Sequence, residues 1–67
     1  MQVTVNGDTV TVDAAQATVA DLLDRLGLGA KWVLVERNGE PVDRRALSTT
    51  ALADGDRLEL VRAVAGG

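Results

Sequence analysis

In the stretch "TVADLLDRLG", Thr18 to Gly27, apolar side chains fall at Val19, Leu22, Leu23 and Leu26. Spacing of i, i+3, i+4 and i+7 predicts a helix with one apolar stripe. Thr18 is placed to cap its N-terminus, with Asp21 three residues on at capping-box spacing. Gly27 supplies the left-handed residue that commonly ends a helix. Asp21 and Arg25 stand at i and i+4 with acid before base, the favourable polarity for a helix ion pair. A single amphipathic helix needs a surface to cover, and the segments on both sides of it read as strands.

Before the helix, Gln2 to Val5 alternates with Val3 and Val5 on one face, and Thr9 to Val12 alternates with Val10 and Val12. Asn6-Gly7 lies between them. Both residues tolerate the positive φ of a tight turn, so the pattern predicts an antiparallel hairpin. After the helix, Trp32 to Arg37 reads as a strand closed by Asn38-Gly39. Pro41 starts an irregular stretch, "DRRALS" makes a short turn around Leu47, and Asp54-Gly55-Asp56 is a turn into a last strand from about Arg57 to Arg62. The order is strand, strand, helix, strand, irregular crossover, strand. The simplest topology sets the first and last strands side by side. That is an α+β chain of the β-grasp, ubiquitin-like class: a mixed sheet of four to five strands, one main helix on one face, and a flexible C-terminal tail.

Sixty-seven residues allow one domain, here 1–67 with 63–67 as the projecting tail. A domain of this size buries only about 60% of the surface its unfolded chain exposes, and there is no cysteine to staple it. The apolar runs are only a few residues long, too short for a membrane span. No signal peptide is visible, so a cytoplasmic protein is expected. Histidine, cysteine and tyrosine are absent, and Lys31 is the only lysine. A self-contained acid–base or covalent site would have to use carboxylates or that lysine, which points away from an enzyme. The net charge of −3 argues against a nucleic-acid partner. No metal ligand set is expected either, because transition-metal sites rich in histidine or thiolate are excluded.

Two motifs invite a functional reading and fail it. "LGLGAK", Leu26 to Lys31, lacks the glycine spacing and the Ser or Thr after lysine that a phosphate loop needs. "DGD", Asp54 to Asp56, lacks the further spaced ligands of a calcium loop. A subtler candidate is the sheet face away from the helix. With Val33 and Val35 inward, Leu34 and Trp32 point outward. With Leu58 and Leu60 inward, Val61 points outward beside Glu59. Contiguous exposed apolar side chains mark binding surfaces, and Trp is enriched at their centres. The alternative is that Trp32 packs over a core edge and the others are scattered surface residues.

The chain closes on "VRAVAGG". Ala63 to Gly67, fully extended, reach roughly 17 Å, enough to enter a narrow channel in another protein. Gly66 and Gly67 have no Cβ to obstruct reactants approaching a carbonyl.

The segments "VTVNG", "TVADLLDRLG", "VLVERNGEPVDR", "ADGD" and the ending "DGDRLELVRAVAGG" together resemble the small ubiquitin-like sulfur carriers, and most of all the family serving thiamin biosynthesis. The resemblance runs over the whole chain. It implies that the carboxylate of Gly67 is adenylated by a ubiquitin-activating-like enzyme that uses ATP and Mg, this chain binding no cofactor itself. It implies that a cysteine desulfurase or persulfide donor then replaces AMP with sulfur, and that a thiazole synthase consumes the thiocarboxylate. Gly66, Ala65 and Val64 on the tail, with Trp32, Leu34 and Val61 on the sheet, are the expected partner contacts. The small sulfur-carrying subunit of molybdopterin synthase shares these features, but its tail usually carries prolines absent from "ELVRAVAGG". Other sulfur carriers and a ubiquitin-type protein modifier remain as alternatives.

Overall fold

Two Asn-Gly pairs set the hairpins. In the computed structural model, which describes residues 1–13 and 16–62, Asn6 and Gly7 have φ of 49° and 88°, and Asn38 and Gly39 have 52° and 87°. Positive φ at both central residues is the primed turn whose twist matches that of the flanking strands. The first turn joins β1 (Gln2–Val5) to β2 (Asp8–Thr11), and the second joins β3 (Val33–Arg37) to β4 (Glu40–Val42). β5 (Arg57–Arg62) lies between the hairpins, parallel to β1 and antiparallel to β3. The sheet order is β2-β1-β5-β3-β4. This is the mixed five-stranded sheet with one helix of the β-grasp.

The helix α1 (Val19–Arg25) forms as its residues predict at the N-terminus. Thr18 Oγ1 accepts the Asp21 N–H at 3.2 Å, and Asp21 Oδ2 accepts the Thr18 N–H at 2.9 Å. That reciprocal cap decides the fate of the expected Asp21–Arg25 pair. With Asp21 turned back onto the backbone, Arg25 instead approaches Asp13 at 3.8 Å, a solvent-exposed contact worth little. At the other end the Gly27 N–H donates to the Asp24 carbonyl and the Leu28 N–H to the Leu23 carbonyl. With Gly27 at φ 72°, this is a Schellman closure. It leaves Leu26, the last member of the predicted stripe, at the C-cap and exposed.

Val19, Leu22 and Leu23 of the helix are almost wholly buried against Val3, Val5, Val33, Val35 and Leu58 of the sheet. Leu47 and Leu52, from the crossover between β4 and β5, close the core. None of the described helices is long and apolar enough to cross a membrane.

Two segments depart from the sequence reading. Trp32 does not start β3. It ends a 3₁₀ turn, Ala30–Trp32, whose Trp32 N–H donates to the Gly29 carbonyl; this turn reverses the chain after the helix cap. Pro41, expected to begin irregular chain, sits inside β4 opposite Glu36. The two-residue turn makes Arg37 and Glu40 the hydrogen-bonded closing pair, so the next residue's nitrogen points away from β3. On an edge strand, a proline there costs no ladder bond.

Candidate functional site

The middle of the sheet carries the strand that leads to the C-terminus. β5 is held along most of its length by β3, in a register running from Arg37↔Leu58 to Val33↔Arg62. On the other side the parallel pairing with β1 covers only Thr4↔Arg57 and Val5↔Leu58. Beyond it the Asn6 side chain takes over. Its Oδ1 accepts the Leu60 N–H at 2.8 Å and its Nδ2 donates to the Leu60 carbonyl at 3.1 Å. One side-chain amide thus extends the ladder by a rung that β1, already turning at Asn6, cannot supply.

The start of β5 is fixed by Asp56, a buried carboxylate. It accepts from Arg37 Nε at 2.8 Å, Asn38 Nδ2 at 3.0 Å and the Ala53 N–H at 2.8 Å. Burial disfavours its charge, but the Ala53 N–H, the Asn38 amide and the Arg37 guanidinium outweigh that and hold its carboxyl below the usual carboxylate value. Asp54, its neighbour across Gly55, accepts the Gln2 N–H at 2.7 Å. Both carboxylates of the "DGD" turn are therefore engaged in holding strands together. Among the described residues, no three metal-binding side chains cluster.

On the face away from the helix, Leu34 and Val61 are direct cross-strand partners, 61% and 59% exposed. Trp32, just before β3, is 49% exposed, and Lys31 Nζ lies 5.4 Å from its ring centroid, within cation–π range. Of the four large apolar side chains exposed among the described residues, only Leu26 lies outside this region. The structure thus brings Leu34 and Val61 together at the end of β5 nearest the tail and puts Trp32 on the adjoining turn. Val64, Ala65, Gly66 and Gly67 lie outside the described residues. The Asn6 clamp was not legible in the sequence; the local signal was an asparagine in a turn, and its partner is 54 residues away.

The described residues of this face hold neither a thiol nor an imidazole. Comparison with known proteins gives the fold a family. The model of the ThiS family matches residues 2–67. A thiamine biosynthesis protein (ThiS) from Geobacter metallireducens, solved as a crystal structure, superposes with a TM-score of 0.85 at 42% identity, each chain covered in full. The sulfur carrier protein ThiS of Bacillus subtilis is 37% identical over 62 residues, 92% of this chain and 94% of its own. A thiazole synthase of Paramagnetospirillum magneticum is 39% identical over all 67 residues, and the chain spans 20% of that protein's length. The chain belongs to the ThiS family, the family of the sulfur carriers of thiamine biosynthesis.

Proposed function

We propose that this chain is a sulfur carrier for thiazole formation in thiamin biosynthesis, a co-substrate of other enzymes and not itself an enzyme, with the Gly67 carboxylate as the reacting group. What supports this most is the family match, which runs to residue 67 and so includes Gly66-Gly67. In this reading 1–67 is one domain working in the cytoplasm, and 63–67 is the segment that enters a partner's active site. A carboxylate is a poor acyl donor because oxide is a poor leaving group. An adenylating enzyme with ATP and Mg remedies that: a carboxylate oxygen attacks the α-phosphorus, pyrophosphate leaves, and an acyl adenylate forms. The terminal sulfur of a persulfide, on a cysteine desulfurase or a relay charged by it, then attacks the acyl carbon and AMP departs. A thiol attacks the other sulfur of the resulting acyl disulfide, taking it into a new disulfide and releasing the acyl sulfur. The product is a terminal thiocarboxylate that thiazole synthase consumes.

The division of labour fits the residues. With no cysteine, the chain has no side chain on which to hold transferable sulfur. Gly66 keeps the approach to the reacting carbonyl free of a Cβ. Trp32, Leu34 and Val61 give the partners a surface at the root of the segment. The thiazole synthase relative, in which a segment like this chain makes up a fifth of the length, favours that enzyme as a partner.

The test is deletion of Gly67 in cells that lack the native gene and require thiazole. The truncated chain is expected to fold and to fail to restore growth, and replacing Gly66 with leucine to fail likewise. Growth restored by the truncated chain overturns the proposal.

A further inference from the structure

The outer face carries a feature that sulfur transfer at Gly67 leaves unused. Glu36 and Glu59 are direct cross-strand partners, both exposed, on the rung next to Leu34↔Val61. Opposed residues in such a pair have Cα atoms about 5.5 Å apart, and like charges placed so are destabilising. Among the described residues, no ion pair within 4 Å offsets them. The ion pairs among the described residues are Arg25–Asp13, Arg37–Asp56 and Arg45–Asp43, and none involves Glu36 or Glu59. The residue opposite Glu36 on β4 is Pro41, and the outward residues of β1, Gln2 and Thr4, are neutral. Arg57, two residues before Glu59 and opposite Thr4, is a cation on this face and makes no ion pair within 4 Å among the described residues.

We propose that the Glu36–Glu59 rung is the charged half of the docking face, recognising an enzyme surface that places arginine or lysine beside an apolar contact for Leu34 and Val61. This rests on the carrier reading above and names the chemistry of its partner. The paired carboxylates attract a cationic surface before contact. The apolar rung then desolvates, on the side of the carboxylates where β5 runs out towards the reacting end. Two acceptors on adjacent strands match the planar fork of an arginine. A second copy of this chain laid on the face meets carboxylates with carboxylates, so a different protein is the better fit.

The experiment compares the full chain with Glu36→Gln/Glu59→Gln, measuring by calorimetry the Kd for thiazole synthase from the same cells at 50 and 500 mM NaCl. The double variant is expected to bind about tenfold more weakly at low salt. The gap should close at high salt, where screening removes the attraction. Its melting temperature should equal or exceed that of the parent, because the repulsion within the rung is gone; that separates lost recognition from lost fold. Unchanged Kd and unchanged salt dependence overturn the rung's role, while a Leu34→Ala variant that still binds weakly shows the face in use without it. Self-association of the parent through this face, or no binding of the parent to the synthase, also overturns the proposal. In either case the carrier reading stands or falls separately, on whether the chain lacking Gly67 restores growth.

Discussion

Asn6 has two structural duties that substitution can separate. Its backbone sits at φ 49° in the β1–β2 turn, and its amide makes two hydrogen bonds to Leu60 of 2.8 and 3.1 Å. Asn6→Gly keeps the left-handed backbone and removes the amide. Each bond contributes about 1 kcal/mol net; both are exposed, and water replaces part of the loss, so the expected cost is about 1.5 kcal/mol. For a domain of this size that lowers the melting temperature by about 6–12 °C. Asn6→Ala loses the same bonds and must also hold an L-side chain in the left-handed region, adding about 1 kcal/mol. Asn6→Asp keeps an acceptor for the Leu60 N–H but presents a second oxygen to the Leu60 carbonyl, and should fall near the glycine variant or below it. Thermal unfolding by circular dichroism gives the totals. Amide hydrogen exchange locates the effect, with Leu60 N–H losing protection beyond the global change. If Asn6→Gly melts within about 2 °C of the parent and Leu60 stays protected, the amide is not what holds the end of β5.

Two further outcomes can be checked directly. Because the Asp56 carboxyl is held below the value it has in the unfolded chain, the native state binds fewer protons there; its stabilisation is present above pH 4 and is lost as pH falls through the folded value. Asp56→Asn should lower stability at pH 7 by about 2 kcal/mol and flatten the acid limb of a denaturation-versus-pH curve, and an acid limb as steep as the parent's would refute this. On the outer face, alanine at Trp32, Leu34 or Val61 should weaken binding to the adenylating enzyme or thiazole synthase by tenfold or more for at least one position, measured by calorimetry. Unchanged affinity for all three removes the patch and leaves the tail chemistry untouched.

The sequence carried the local instructions plainly. The Asn-Gly pairs announce the hairpins because few residues accept positive φ, and the stripe with its Thr18–Asp21 box announces the helix. What was hidden depends on register and on competition. Arg25 lost its expected partner because Asp21 bonds more closely to the helix end. β4 is hidden because Pro41 reads as a breaker unless the two-residue turn fixes which way its nitrogen faces. Trp32 reads as strand because nothing in its type distinguishes the first strand residue from the last turn residue. The opposition of Glu36 to Glu59, and of Leu34 to Val61, follows only from the alignment of strands more than twenty residues apart. The proposed reacting group, Gly67, rests on the family resemblance and on a family match that runs to residue 67, neither of which needs fold geometry.

The central claim is that sulfur is carried at Gly67, and the absence of cysteine makes it directly measurable. The protein is isolated gently from its own cells, treated with a thiol-alkylating reagent, and its intact and fragment masses are recorded. Alkylation matters because exchange of oxygen for sulfur has nearly the mass of oxidising Met1 or Trp32. A single adduct on the fragment ending in Gly67 is the predicted result. No adduct, even after co-expression with the adenylating enzyme and a sulfur donor, would contradict the account.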